Sequence, residues 1–138
     1  IEATMPVLER GLSKSPSSAR GWMLLAELRV HDPQGAGQAL ALSFALAPSD
    51  YWLAGRRLRD AAKLWTVLPI ETRNQALLQV RLLWNEPLLR PQIEPLIATK
   101  GGPEMFTKAF HNDLDALRAL NRWRASVRRS QFRDEQFE

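Results

Sequence analysis

The chain has 138 residues, 45% hydrophobic and 25% charged, with no cysteine and a formal net charge of +4. That length supports one domain with a core, and the missing thiols exclude disulfides, thiolate metal sites and cysteine nucleophiles. No apolar run approaches the roughly 20 residues of a membrane span.

No signal peptide is visible, and a chain that opens on Ile1 is expected to be a processed or truncated product, which leaves its location open.

Helical spacing recurs along the chain, and no stretch sustains the alternation of a strand. In chain order the pattern predicts helices near 2–13, 18–30, 35–47, 51–67, 70–84, 88–98, 103–110 and 113–129. The stripe Leu58, Ala61, Ala62, Trp65, Leu68 is apolar at helical intervals, as are Ala76, Leu77, Val80, Leu83, Trp84 and Leu114, Leu117, Leu120, Trp123, Val127. Pro16, Pro33, Pro48 and Pro69 separate these stripes, where a helix interior would lose a hydrogen bond and clash with the ring. Gly35-Ala36-Gly37 reads as a flexible turn before the third helix. Ser49 and Asp50 suit a helix start at Tyr51, and Asn112 with Asp115 suits one before the last helix. Pro103, after the break Lys100-Gly101-Gly102, suits a first helical turn. Pro87, Pro91 and Pro95 weaken the 88–98 helix.

The charge is uneven. Residues 1–50 hold four basic and five acidic side chains, residues 51–100 hold eight and four, and residues 101–138 hold seven and six. The middle segment carries the excess, which favours an anionic partner.

Trp22 follows Pro16 by six residues, and Leu25 and Ala26 come next; Ala36, Leu40 and Ser43 lead back from Pro48 as Thr4, Leu8 and Gly11 lead back from Pro16. This small–large–small spacing resembles the tetratricopeptide repeat. The turn between Trp22 and Ala36 is two residues short of that pattern, and the signature fades beyond Ala54. The resemblance implies an all-α fold of antiparallel helix-turn-helix repeats in a right-handed stack, with a divergent C-terminal half. A single domain over 1–138 would comprise the repeat match at 1–50, a divergent pair at 51–84, C-terminal helices at 85–130 and a polar tail at 131–138. Trp22 is then expected inside the core, against Leu25 and the 36–47 helix.

The run ALALSFALAPSDYWLAGRRLRDAAKLWTVLP from Ala39 to Pro69, followed by Arg73, also resembles small membrane-anchored repeat proteins of alphaproteobacteria associated with surface polysaccharide production. That resemblance implies a bacterial, periplasmic domain behind an N-terminal anchor.

Catalytic constellations are not evident. His31 and His111 each sit beside turn residues, with no second ligand at helical spacing. Asp113 and Asp115 fall in a first turn, where negative charge suits the helix dipole. Asp134, Glu135 and Glu138 belong to the tail, and Ser13, Ser15, Ser17 and Ser18 form a polar linker. We therefore expect no enzyme activity, no cofactor and no metal.

Binding features are clearer. Trp52 stands beside Tyr51, and Arg56, Arg59 and Lys63 share a helical face, with Arg57 pointing elsewhere. The tetratricopeptide alignment turns Arg59, Lys63 and Arg20 toward the concave surface. Arg20, Trp52, Arg56, Arg59 and Lys63 are thus the candidate partner-binding residues, with guanidinium forks for carboxylates and an aromatic anchor. The expected partner is another protein, with an anionic glycan or membrane surface next. The alternative is a nucleic-acid or anionic-ligand module using the Arg-rich faces. The run Arg118, Arg122, Arg124, Arg128, Arg129, Arg133 belongs to that alternative, although the tail acids favour a self-paired helix end.

Overall fold

A computed structural model describes residues 18–29 and 31–137; for Val127 and residues 131–137 it describes the backbone alone. The helix expected at 2–13, the Thr4, Leu8 and Gly11 positions and the serines before Ser18 lie outside the described residues. Every regular element among the described residues is helical.

Local chemistry sets the ends of the helices. α1 (Ala19–Leu28) starts where the Ser18 hydroxyl accepts the Gly21 N–H at 3.0 Å. α2 (Pro33–Leu46) starts where Asp32 accepts the Gly35 N–H at 3.0 Å, with Pro33 in its first turn. Gly35-Ala36-Gly37 is therefore helix and not the expected turn, because the Asp32 cap and the preset φ of Pro33 open the helix two residues earlier. Asp50 caps α3 (Tyr51–Lys63) by accepting the Trp52 N–H at 3.1 Å. α3 gives way to a 3₁₀ turn at Trp65–Val67 rather than running on to 67.

α4 (Ile70–Asn85) follows Pro69. The helix expected at 88–98 is instead a 3₁₀ turn at Arg90–Gln92 and a four-residue α5 (Glu94–Ile97), as Pro87, Pro91 and Pro95 remove the donors a continuous helix requires. Gly101 then adopts φ +82°, in the left-handed region that favours glycine. α6 (Gly102–Ala109) follows with Pro103 in its first turn, and a side chain on Gly102 would run into the Leu96 carbonyl. α7 (Leu114–Phe137) is capped by Asp113, one residue beyond the expected Asn112, through a 3.1 Å bond from the Ala116 N–H.

α1 and α2 pack along their length around Met23, Leu25, Ala26, Ala36, Leu40 and Phe44, all buried. Ser43 is buried with them, and its hydroxyl donates to the Ala19 carbonyl at 2.7 Å. Trp22 is half-buried: it packs on the rim of this core rather than filling it as expected. α3 is the hub, touching α1, α2, α4, α5 and α6 through a face built on Ala54, Leu58 and Ala61. Beyond it, Trp84 of α4 meets Phe106 of α6 edge-on at 4.9 Å, and Phe106 packs on Phe110 at 4.6 Å. α7 joins the body through Ala116 and Leu120.

The largest fully buried side chain is charged. Arg57 of α3 has 0% exposure, and its Nη1 donates to the carbonyls of Ser43 at 2.9 Å and Ala47 at 2.7 Å, at the C-terminal end of α2. The Ser43 carbonyl also accepts the Ala47 N–H at 3.2 Å and the Ala47 carbonyl the Asp50 N–H at 3.4 Å, so Arg57 adds a charged donor to carbonyls at the negative end of the helix dipole. The Phe44 ring lies under the guanidinium at 4.4 Å. Burial lowers the Arg57 pKa from the ordinary arginine value, and the charge of Asp50 opposes that shift. Nearby, buried Gln79 of α4 donates to the Pro48 carbonyl, so two elements satisfy the same helix end. Arg57→Met keeps the stem and removes the donors. It should cost about 1–3 kcal/mol in chemical denaturation, since two hydrogen bonds from a charged donor are lost while both carbonyls keep a backbone N–H; a cost below about 0.5 kcal/mol would show that the clamp does not hold α2 to α3.

Candidate functional site

Four side chains at successive turns make a ridge along α3: Trp52, Arg56, Asp60 and Lys63, with Arg59 beside them. Trp52 is 96% exposed at the N-terminal end, with Tyr51 partly exposed next to it. So large an apolar ring left in water is uncommon in a folded domain. Arg56 is exposed yet committed: its Nε donates to Glu27 Oε2 of α1 at 2.8 Å, and its Nη2 lies 2.6 Å from Oε1. The bond to Glu27 raises the Arg56 pKa.

The C-terminal half of the ridge borders a cleft of about 330 Å³ between α1, the start of α2 and the end of α3. Its lining combines the apolar Ala26, Pro33, Ala36 and Leu64 with Glu27, Arg29, Asp60 and Lys63. Arg29 also donates to the Gly35 carbonyl at 3.2 Å, which ties one wall of the cleft to the first turn of α2. Asp60 Oδ2 is buried and has no hydrogen-bond partner among the described residues. Its carboxyl is pushed up to about 7, first by desolvation and then by the charge and hydrogen bonding of Glu27, with Lys63 and Arg56 opposing. A proton on Asp60 makes it a donor to the Glu27 carboxylate and removes a second negative charge from a confined space. The cleft can therefore exchange a proton near neutral pH, and it presents cations at its rim. No Ser, Cys or His is among its lining residues.

Of the residues expected at the site, Lys63 lines the cleft and Arg56 is bound to one of its walls through Glu27. Arg59 is half-buried, and Trp52 lies two turns up the ridge from Asp60. Arg20 is exposed at the start of α1 and is not among the residues lining the cleft. Arg57, expected to point elsewhere, is the clamp described above.

Sequence reasoning missed Glu27 and Asp60. Asp60 stands four residues after Arg56, the spacing of an ordinary helical pair, which does not set it apart. Glu27 is 33 positions away and nothing local marks it. Among the described residues no cluster of His, Cys, Asp and Glu is suited to a metal ion, and no helix is long and apolar enough to cross a membrane.

The positive excess of the middle segment is largely spent inside the fold. Of its eight basic residues, Arg56 and Arg57 are bound as above. Arg73 donates to the Leu68 and Thr66 carbonyls, Arg81 to that of Ala109 and Arg90 to that of Trp84. Arg59, Lys63 and Lys100 remain.

No protein-family model matches this chain, and no curated protein or solved structure matches it either.

The raised pKa of Asp60 makes stability depend on pH. Between the ordinary carboxylate range and about 7, the folded chain holds a proton that the unfolded chain has released. Stability therefore falls as pH rises through that window and levels off above it. Asp60→Asn, which mimics the protonated carboxyl, should melt above the parent protein at pH 8 and close to it at pH 4. Parallel melting curves over that range would rule out the shared proton.

Proposed function

We propose that this domain is a non-enzymatic binding module whose α3 ridge and adjoining cleft engage a partner protein. The observation that carries the reading is the 96% exposure of Trp52. An aromatic ring held in water on a rigid helix contributes large contact area at little conformational cost when a partner covers it. Arg59 and Lys63, about two to three turns along the ridge, add positive charge around Asp60, and the cleft offers apolar floor with polar walls. Together these suit a segment of a partner protein bearing an apolar side chain for Trp52 and carboxylates for the cations.

We further read the N-terminal half as a tetratricopeptide-like helical hairpin within a repeat stack. Supporting this, Ala36 and Ser43 are buried at the α1–α2 contact with Leu40 between them, which is where that pattern needs small, large and small residues. Superhelical repeats use such surfaces to bind partners without special chemistry.

A photo-crosslinking amino acid at position 52, introduced into the protein in its native cells, should capture a discrete protein. The same probe at Leu88, 86% exposed on another part of the chain, should not. Arg59→Glu with Lys63→Glu should weaken that capture at least tenfold; because Arg59 is half-buried and Lys63 lies beside Asp60, an unchanged far-ultraviolet circular-dichroism spectrum must accompany the loss. Equal capture from both positions, or capture indifferent to the charge reversal, would remove the ridge as the binding surface.

A further inference from the structure

The C-terminal helix carries charge that the rest of the molecule does not use. α7 runs 24 residues from Leu114 to Phe137, about 36 Å at 1.5 Å per residue. Its first three turns join the body through buried Ala116 and Leu120 and half-buried Leu117 and Trp123. Beyond Trp123 the helix continues, and each described side chain from Arg124 to Ser130 is exposed.

Between Ala116 and Arg133 the sequence holds six arginines and no acid. Five of them, Arg118, Arg122, Arg124, Arg128 and Arg129, are exposed and make no hydrogen bond or ion pair among the described residues. The side chains of the tail acids expected to pair with this helix end lie outside the described residues. By spacing, none of the five has an acid three or four residues away on either side except Arg118, whose neighbour Asp115 stays exposed and unpaired with it.

The arrangement around the helix is specific. At about 100° per residue, Leu120 and Trp123 mark the side that faces the body. The opposite side presents Asn121 and Ala125, a narrow, small-residue ridge. Arg122 and Arg129 flank it on one hand, Arg124 and Arg128 on the other. A shallow hollow of about 290 Å³ runs between Asn121, Arg124, Ala125 and Arg128. A free helix with a slim leading edge and guanidinium forks on both flanks matches a nucleic-acid duplex. The major groove, about 12 Å wide, admits one α-helix, with phosphates lining both rims. Arg binds phosphate through two parallel donors, and short polar or small side chains such as Asn and Ala sit against base edges. A lipid surface asks for large apolar side chains on the free face; the side chains described from Arg124 to Ser130 are Arg, Ala and Ser.

We propose that α7 is a duplex-binding helix, entering a nucleic-acid groove by its Asn121–Ala125 edge with Arg122, Arg124, Arg128 and Arg129 on the flanking phosphates. This surface lies on a different element from the α3 ridge and stands or falls separately.

The test is fluorescence anisotropy of the intact chain with a labelled DNA duplex of about 20 base pairs, titrated at several salt concentrations. Saturable binding is expected at physiological salt, with a log–log salt slope of about −3 to −4 for about four neutralised phosphates. Arg122→Ala with Arg129→Ala should weaken it at least tenfold. Alanine raises helix propensity, so an unchanged far-ultraviolet circular-dichroism spectrum separates lost contact from a lost helix. Arg59→Glu with Lys63→Glu should leave duplex affinity within about twofold, which distinguishes this surface from the ridge. Three results would overturn the proposal: no saturable duplex binding, binding unaffected by the double alanine variant, or binding to phosphatidylglycerol vesicles or poly-glutamate at least as tight as to the duplex.

Discussion

A guanidinium without access to water holds the centre of this fold. Arg57 arises from α3 and donates to two carbonyls at the end of α2, with the Phe44 ring beneath it. Removing a charge from water is expensive, and only a dense set of partners offsets that cost. The helix end supplies part of that set, two carbonyls at the negative end of its dipole for Nη1, while Nε and Nη2 are buried without a hydrogen-bond partner among the described residues. Since α3 also touches α1, α4, α5 and α6, fixing α2 to it fixes the frame on which both the cleft and the ridge are built.

The same device is repeated with smaller stakes. Arg81 reaches the last carbonyl of α6, Arg90 that of Trp84 near the end of α4, and Arg73 the turn after α3. Arginine is suited to this work because its planar fork spans more than one acceptor and stays charged when partly buried. The consequence is a division of labour among like residues. Arginines at helix ends are structural, Arg56 is neutralised by Glu27, and the positive charge that faces outward is concentrated at Arg59, Lys63 and along α7.

The cleft adds the opposite element. Glu27 and Asp60 come from two helices and meet where solvent is thin, so one of them retains its proton to near neutral pH. Arg56 stitches α1 to α3 at the same place. Protonation of the pair, the ion pair and the packing of α1 on α3 are therefore linked, and charge introduced by a bound partner acts on all three.

Local pattern determined a good deal. Ser18, Asp32 and Asp50 are cap residues by chemistry, the prolines end helices by geometry, and the apolar stripes of α3 and α4 mark their inner faces; each of these depends on neighbours within one turn. Gly35-Ala36-Gly37 misled because glycine permits a turn without requiring one, and the Asp32 cap outweighed it. Trp22 misled in degree, since a pattern says which face a side chain takes and not how deep the surrounding helices bury it. Only the tertiary structure decided that Arg57 is inside while Arg56 and Arg59, one and two positions away, face outward or sit at the boundary. It alone joined Glu27 to Asp60, left Trp52 in water and left the described α7 side chains from Arg124 to Ser130 exposed. The sequence records which groups are charged and at what period they recur. Which of them meet a carbonyl, a second carboxylate or nothing at all depends on helices brought together from distant parts of the chain.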